Sequence, residues 1–152
     1  MDALGSVGEE ITISHVSKLS VASLTTIGST FSISETDLSS ISAPKLQTLG
    51  RDLIIRSNEA LSDVSFPALN RLEGTFLVAN NSVIGQVDVS ALKEVGGSVE
   101  IENDVTNMNF KPERVNGAVN IKGSGFDCQN LESLKVLSSL FIFEAKCGRT
   151  GS

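Results

Sequence analysis

The chain has 152 residues, enough for one well-filled domain, and a formal net charge of −6. That charge disfavours nucleic acid and anionic membranes as partners, because both select for clustered Lys and Arg. The sequence also lacks a run of about 18 apolar residues, the length that crosses a bilayer as a helix. We therefore expect one domain over residues 1–152, with no nucleic acid bound and no direct membrane insertion.

An apolar-x-apolar triplet recurs along the whole chain at a nearly constant step. The second apolar residue of each triplet serves as a marker: Ile13, Ile33, Ile55, Val78, Ile101, Ile121 and Ile142. The successive spacings are 20, 22, 23, 23, 20 and 21 residues. A period in the low twenties is typical of solenoids, in which each unit buries its apolar side only by stacking on its neighbours.

In chain order, each unit predicts a strand, a polar corner, a short extended piece and a turn that leads to the next unit. The first triplet places Ile11 and Ile13 on one face of a strand. Prolines follow the extended piece in the second and third units, at Pro44 and Pro67, where the missing amide donor favours a turn. The units open at residues 8, 28, 50, 73, 96 and 116.

These repeats predict a mainly β fold, a right-handed parallel β-solenoid of about six to seven coils over residues 8–125. Right-handed crossovers are expected because parallel strands connect that way in nearly all cases. The alternative is a loop-rich sandwich of short strands. Glycines recur where the chain turns into each strand, and we expect them to adopt positive φ: Gly28, Gly50, Gly74, Gly96 and Gly117.

The pattern breaks after the sixth strand, and residues 126–148 are predicted to form a C-terminal cap. Apolar residues at i, i+3 and i+6 indicate a short capping helix there, with Asp127 or Asn130 available as its N-cap. These residues are Leu131, Leu134 and Leu137. A final strand follows, and its sequence leaves two inward pairs open: Leu140 with Ile142, or Phe141 with Phe143.

Cys128 and Cys147 are the only cysteines and lie 19 positions apart in this cap. A redox pair or a metal site is disfavoured because the chain has no Cys-x-x-Cys and only one histidine, His15. A structural disulfide is the favoured interpretation, since the end of a solenoid exposes an unpaired strand edge that needs a cap. Such a bond would contribute on the order of 3 kcal/mol and implies an oxidising, secretory destination.

The phrases PKLQTLGRDLIIRSNEALSDV and PALNRLEGTFLVANNSVIGQV resemble the leucine-rich-like repeats of the receptor L-domain group. The C-terminal GFDCQNLESLKVLSSLFIFEAKCG narrows the resemblance to fungal GPI-anchored cell-surface proteins linked to cell-wall organisation and sporulation. The resemblance covers nearly the whole chain. It implies a secreted, non-catalytic protein of the cell wall or cell surface that binds or scaffolds cell-wall polysaccharide. The abrupt N-terminus is interpreted as that of a mature segment whose targeting signals have been removed.

Two other classes of function stay open. One is a secreted effector or antigen that binds a host extracellular protein through an exposed sheet face. The other is a polysaccharide-active enzyme, for which Glu100 and Glu102 are the paired carboxylates nearest to a catalytic arrangement. No phosphate-binding loop, nucleophile elbow or zinc-protease motif occurs, so we expect no catalytic residue, no metal site and no cofactor.

The outward face of the predicted strands is where a partner would bind. Ile54 and Leu77 would lie side by side in solvent there, which is unusual for apolar side chains. The candidate partner surface also includes two basic residues, two acidic residues and one aromatic residue: Arg56, Lys122, Glu100, Glu102 and Phe141.

Polar residues mark the corner after each strand. Asn80 begins the only N-glycosylation sequon, Asn80-Asn81-Ser82, and is expected to be an exposed acceptor. Asn58, Asn81 and Asp104 each follow their marker by three residues, which indicates a turn-making role. His15 is likewise interpreted as a turn residue, because no nucleophile motif or metal ligand accompanies it.

Overall fold

The computed structural model describes residues 5–82, 84–126 and 141–147, with side chains described as far as Gly123. These residues form strands and turns and contain no helix. The first nine strands are β1 (Ser6–Val7), β2 (Ile11–Ser14), β3 (Thr26–Ile27), β4 (Phe31–Ser34), β5 (Ser40–Ser42), β6 (Thr48–Leu49), β7 (Leu53–Arg56), β8 (Asp63–Ser65) and β9 (Arg71–Leu72). The other eight are β10 (Phe76–Ala79), β11 (Ile84–Asp88), β12 (Glu94–Val95), β13 (Val99–Glu102), β14 (Val105–Asn109), β15 (Arg114–Val115), β16 (Val119–Phe126) and β17 (Phe141–Cys147).

The strands stack into three parallel sheets that surround one apolar interior, so the predicted β-solenoid is confirmed. Sheet A has the order β1-β3-β6-β9-β12-β15, sheet B the order β17-β16-β13-β10-β7-β4-β2, and sheet C the order β14-β11-β8-β5. The described turns number about five, fewer than the six to seven expected. Each marker residue corresponds to one strand of sheet B. A complete turn also needs a strand in sheet A and one in sheet C, so there are fewer complete turns than markers.

The register of sheet B follows the markers from β2 to β16. Ile55 pairs with Ile33 on one side and with Val78 on the other, which stacks the marker residues in one column. The last strand departs from this column, because Phe143 pairs with Ile121 and Ile142 pairs with Asn120. Of the two registers left open by the sequence, the backbone therefore adopts the one that aligns Phe141 and Phe143 with the core positions.

The interior is filled by aliphatic residues and four fully buried phenylalanines. Phe31 and Phe66 meet edge to face with ring centroids 6.3 Å apart, and Phe76 and Phe110 lie 6.0 Å apart in a tilted arrangement. Both distances fall in the favourable range for aromatic pairs. Because each pair joins a residue of sheet B to one that follows a strand of sheet C, the rings link two walls of the solenoid.

The glycines at the corner between sheets A and B have a different role from the one predicted. Of the five, none has positive φ; the only described glycine that does is Gly123. Instead, a Cβ on Gly117 would lie 2.7 Å from the carbonyl oxygen and 2.8 Å from the carbonyl carbon of Gly97 in the preceding turn. The expectation of positive φ was therefore wrong, and close approach of stacked backbones is what requires glycine here.

Left-handed backbone occurs instead at the corner between sheets B and C, at non-glycine residues. His15, Glu35, Ser57 and Asn80 have φ between 53° and 57° and stand two positions after their markers. This conformation costs an ordinary residue about 1 kcal/mol or more. The backbone of each such corner is therefore strained, and the packing of successive turns offsets the cost.

Replacing Ser57 with glycine should raise the free energy of unfolding by about 0.5–1 kcal/mol, since glycine adopts φ near 57° without a steric cost. Ser65→Gly in β8 is the matched control and should lower the free energy of unfolding by a similar amount, because an extended strand gains nothing from glycine. Urea denaturation of both variants measures the difference. Equal destabilisation by both substitutions would contradict the strain at Ser57.

The predicted capping helix and Cys128 lie outside the described residues. Cys147 is the last residue of β17, and its pairing with Cys128 stays a prediction.

Candidate functional site: an exposed sheet face and its corner

The outward face of sheet B carries two columns of side chains. One column contains Thr12, Ser32, Ile54, Leu77, Glu100 and Asn120, and the other contains Ser14, Ser34, Arg56, Ala79, Glu102 and Lys122. Ile54 pairs directly with Leu77, and both side chains are half-buried. The predicted adjacency of these two apolar residues on the outer face is therefore present in the structure.

Polar residues border this apolar pair on both sides. Toward the N-terminus the two columns carry only hydroxyl side chains, with Ser32 beside Ile54. Toward the C-terminus Glu100 pairs with Asn120 and Glu102 pairs with Lys122. Opposite charges on neighbouring strands favour stacking, so the charged end of the face has a structural explanation of its own.

The structure separates Phe141 from the other candidate surface residues. Phe141 pairs with Val119, a fully buried core residue, whereas Ile142 pairs with Asn120 in the outward column. The backbone register therefore places Phe141 in the column of Leu53 and Phe76. Its side chain lies outside the described part of the chain.

A ladder of buried amides runs along the corner between sheets B and C. Asn58 is fully buried, and its Oδ1 accepts hydrogen bonds from the backbone N and the Oγ1 of Thr36, at 3.1 Å and 2.7 Å. Its Nδ2 donates to the oxygen of Ile33 at 3.2 Å and to Oδ1 of Asn81 at 3.0 Å. Every hydrogen-bonding group of this side chain is satisfied, which a buried amide requires.

The ladder continues into the next two turns. Asn81 donates from Nδ2 to the oxygen of Ile55 at 3.0 Å and from its backbone N to Oδ1 of Asn103 at 2.7 Å. Asn103 in turn donates from Nδ2 to the oxygens of Ser82 and Asp104, each at 3.0 Å. The turn-making role predicted for Asn58 and Asn81 is thus confirmed as side-chain bonding between successive coils.

The sequence prediction named the wrong residue in the fifth turn and missed the first member of the ladder. Four positions separate β10 from β11, whereas only residues 103 and 104 separate β13 from β14. The shorter corner omits the left-handed residue, so Asn103 takes the ladder position and Asp104 is exposed. The first member of the ladder is Thr36. It could have been found in the sequence, because it also lies three residues after its marker, Ile33.

Asn80 occupies the left-handed position just before the ladder residue Asn81. It is exposed, and its backbone N donates to the oxygen of Glu102 at 3.4 Å. The side chain that forms the ladder belongs to Asn81. A glycan on Asn80 would therefore project from the corner without breaking an amide ladder bond, and its presence stays a prediction.

His15 is the left-handed corner residue of the first turn, in accordance with its predicted turn role. Its Nε2 lies 3.4 Å from Oε2 of Glu35, and both side chains are more than half exposed. An exposed pair of this kind contributes little to stability.

Within the described residues, no group of three or more His, Cys, Asp or Glu side chains is arranged to hold a metal ion. An open groove of about 600 Å³ borders the first turn, with Lys18 and Leu19 on one side and Leu38 on the other; its other lining residues are Ser17, Ser20, Ser39 and Ser40. This composition offers hydroxyls and one cation but no acid–base pair.

No protein-family model, no curated protein and no solved structure matches the chain. The described residues contain no helix that is long and apolar enough to cross a bilayer. The candidate site is therefore defined by this chain's own geometry.

Proposed function

We propose that the protein is a non-catalytic, secreted or cell-surface binding protein that contributes to fungal cell-wall organisation by holding wall polysaccharide on its exposed sheet face. The observation that carries this proposal is the outward face of sheet B, where Ile54 and Leu77 form an apolar centre between hydroxyl and charged residues. The fungal assignment and the extracellular location rest on the repeat and cysteine phrases described above.

The shape of this face suits a long polymer better than a small substrate. Its side chains lie in two columns that stay in register across neighbouring strands, which stand about 4.8 Å apart in a parallel sheet. A chain of repeating sugar units laid across the strands would meet equivalent positions in every turn. Small-molecule sites are usually concave and enclose most of the ligand, whereas this surface offers contacts along a line.

The experiment is co-sedimentation of the purified chain with insoluble β-glucan and with chitin, alongside a pull-down against extracellular host proteins. Saturable binding to a polysaccharide supports the proposal. Retention only by a host protein would favour the alternative, a secreted effector or antigen, and would contradict the wall function. Release of soluble sugar from either polymer would instead indicate an enzyme.

The double variant Ile54→Asp with Leu77→Asp should weaken polysaccharide binding about tenfold or more, since it replaces the apolar centre with charge. Thr26→Asp with Thr48→Asp is the matched control, because these residues are also half-buried and paired in register, on sheet A. The control carries the same change in charge and should bind as the natural chain does. Equal binding by both double variants would show that Ile54 and Leu77 do not contribute to polysaccharide binding.

A further inference from the structure

The N-terminal end of the solenoid leaves one edge of sheet B open. Among the described residues β2 pairs only with β4, and no strand lies on its other side. The backbone N of Ile11 donates to the oxygen of Thr30 at 2.8 Å, so the hydrogen-bonding groups of Ile11 are directed toward β4. Because this direction alternates along a strand, Thr12 and Ser14 direct their N–H and C=O groups to the open side, where they are available to another strand.

The strand β2 has none of the features that usually protect a sheet edge. Its sequence, ITIS, contains no charged residue and no proline, and its pairing with β4 is regular, without a bulge. It is four residues long, the same length as the central strands β7 and β10. An unprotected edge of this kind is a template for pairing with a second chain.

The apolar core is incompletely covered at the same end. Val7 and Ile11 are half-buried, whereas their partners in the next turn, Ile27 and Phe31, are fully buried. Two further apolar side chains of the first turn pack on the core and are only partly buried: Val16 and Leu19. A strand added beside β2 would bury more of this apolar surface, which favours association.

A second copy of the chain fits this edge in an antiparallel register centred on Ile13. In that register Thr12 of one copy lies opposite Ser14 of the other, and each such pair exchanges two backbone hydrogen bonds. The buried Ile13 meets its own counterpart on the two-fold axis, so the core of one copy continues into the core of the other. The same patch serves both molecules, as the interface of a symmetric dimer requires.

The charges that flank β2 complement one another in this register. Glu9 and Glu10 precede the strand, Lys18 follows it, and all three residues are exposed. Since the two copies run in opposite directions, the acidic pair of one copy comes to the end of the strand pair where Lys18 of the other copy lies. Opposite charges therefore meet at both ends of the shared edge, which favours a second copy as the occupant.

We propose that the chain associates with a second copy of itself through β2, as a head-to-head dimer in which the two B sheets join at their N-terminal edges. This association goes beyond the proposed wall function and does not depend on it. In the dimer, the outward column that contains Ile54 in one copy continues into the column that contains Arg56 in the other. A long polymer could then contact both copies along one continuous face.

Sedimentation equilibrium of the purified chain over a range of concentrations tests the association. The mass should rise from 16.0 kDa toward twice that value. The double variant Thr12→Lys with Ser14→Lys should weaken dimerisation about tenfold or more, because it places like charges directly opposite one another. Ser32→Lys with Ser34→Lys is the matched control, since it makes the same change of charge at the paired positions of β4 and should dimerise as the natural chain does.

An exchange of charges tests the antiparallel register. Glu9→Lys alone and Lys18→Glu alone should each weaken the dimer severalfold, because each brings like charges together at both ends of the strand pair. The combination of the two substitutions should restore the affinity of the natural chain, since opposite charges then meet again. Both positions are exposed, so thermal unfolding should show that these variants retain the fold.

Each other outcome overturns the proposal or a defined part of it. A mass that stays at 16.0 kDa at every concentration would reject the dimer. Equal dimerisation of the two lysine double variants would place the interface on another face. Oligomers that grow beyond two copies would replace the head-to-head dimer with head-to-tail stacking. A charge exchange that fails to restore affinity would reject the antiparallel register.

Discussion

Gly50→Ala should lower the free energy of unfolding by about 3 kcal/mol, or roughly 6–12 °C in the melting temperature of a domain of this size. Its Cβ would lie 2.7 Å from the carbonyl carbon of Gly28, and real side chains essentially never approach backbone so closely. The two turns are held at this separation by hydrogen bonds such as that from Gly50 N to Ile27 O, at 2.9 Å. Relief of the clash would require part of this stack to separate.

Gly8→Ala is the matched control, because Gly8 begins the same column and no atom lies within 4 Å of the position that its Cβ would occupy. Alanine there should be neutral or stabilise by up to about 1 kcal/mol, since it restricts the unfolded chain. Thermal unfolding by circular dichroism measures both variants. If Gly50→Ala were as stable as Gly8→Ala, close stacking of the turns would be wrong.

Asn58→Asp should destabilise the protein by about 3–5 kcal/mol at neutral pH, although the two side chains have nearly the same shape. The substitution replaces the Nδ2 donor with an oxygen that would face the oxygens of Ile33 and Asn81. It also places an unpaired negative charge at a fully buried position. Denaturant titration at pH 7 measures the loss, and Asn70→Asp, at an exposed position, should stay within about 0.5 kcal/mol of the natural chain.

The loss at position 58 should depend on pH in a definite direction. Burial and the facing oxygens raise the pKa of the introduced carboxyl above its unfolded value of about 3.9. The neutral acid can donate a hydrogen bond in place of Nδ2, so the deficit relative to the natural chain should be smallest below about pH 4, where the carboxyl is protonated in both states. It should grow as the pH rises through the folded-state pKa. A deficit that does not change with pH would contradict an ionised side chain as its cause.

The spacing of the markers was sufficient to predict the fold, because a parallel solenoid keeps equivalent residues in register from turn to turn. Ile33, Ile55 and Val78 therefore stack as the sequence predicts. The same spacing failed at the last strand, where two alternating apolar pairs overlap and only the backbone register distinguishes them. Strand alternation alone does not select between such pairs.

The glycine and asparagine roles depend on contacts between turns, which a single sequence does not show directly. Gly117 fits a positive-φ turn and a close backbone approach equally well until its distance to Gly97 is known. Asn103 was passed over for Asp104 because the corner of the fifth turn is two residues shorter. In this shorter corner the ladder residue stands two positions after the marker Ile101. A fixed spacing of three residues therefore selects its neighbour, Asp104.

The candidate surface was predictable in its centre and less so at its edges. Ile54 and Leu77 follow from strand alternation combined with an in-register stack, and both steps hold in the structure.

The most direct test of polysaccharide binding on the outward face of sheet B is a titration of ¹⁵N-labelled protein with a soluble wall oligosaccharide, followed by amide chemical shifts. Binding on the outward face of sheet B should shift the amide signals of Ser32, Ile54 and Leu77. The amides of sheet A should stay unchanged. Shifts confined to sheet A, or none at saturating oligosaccharide, would contradict it.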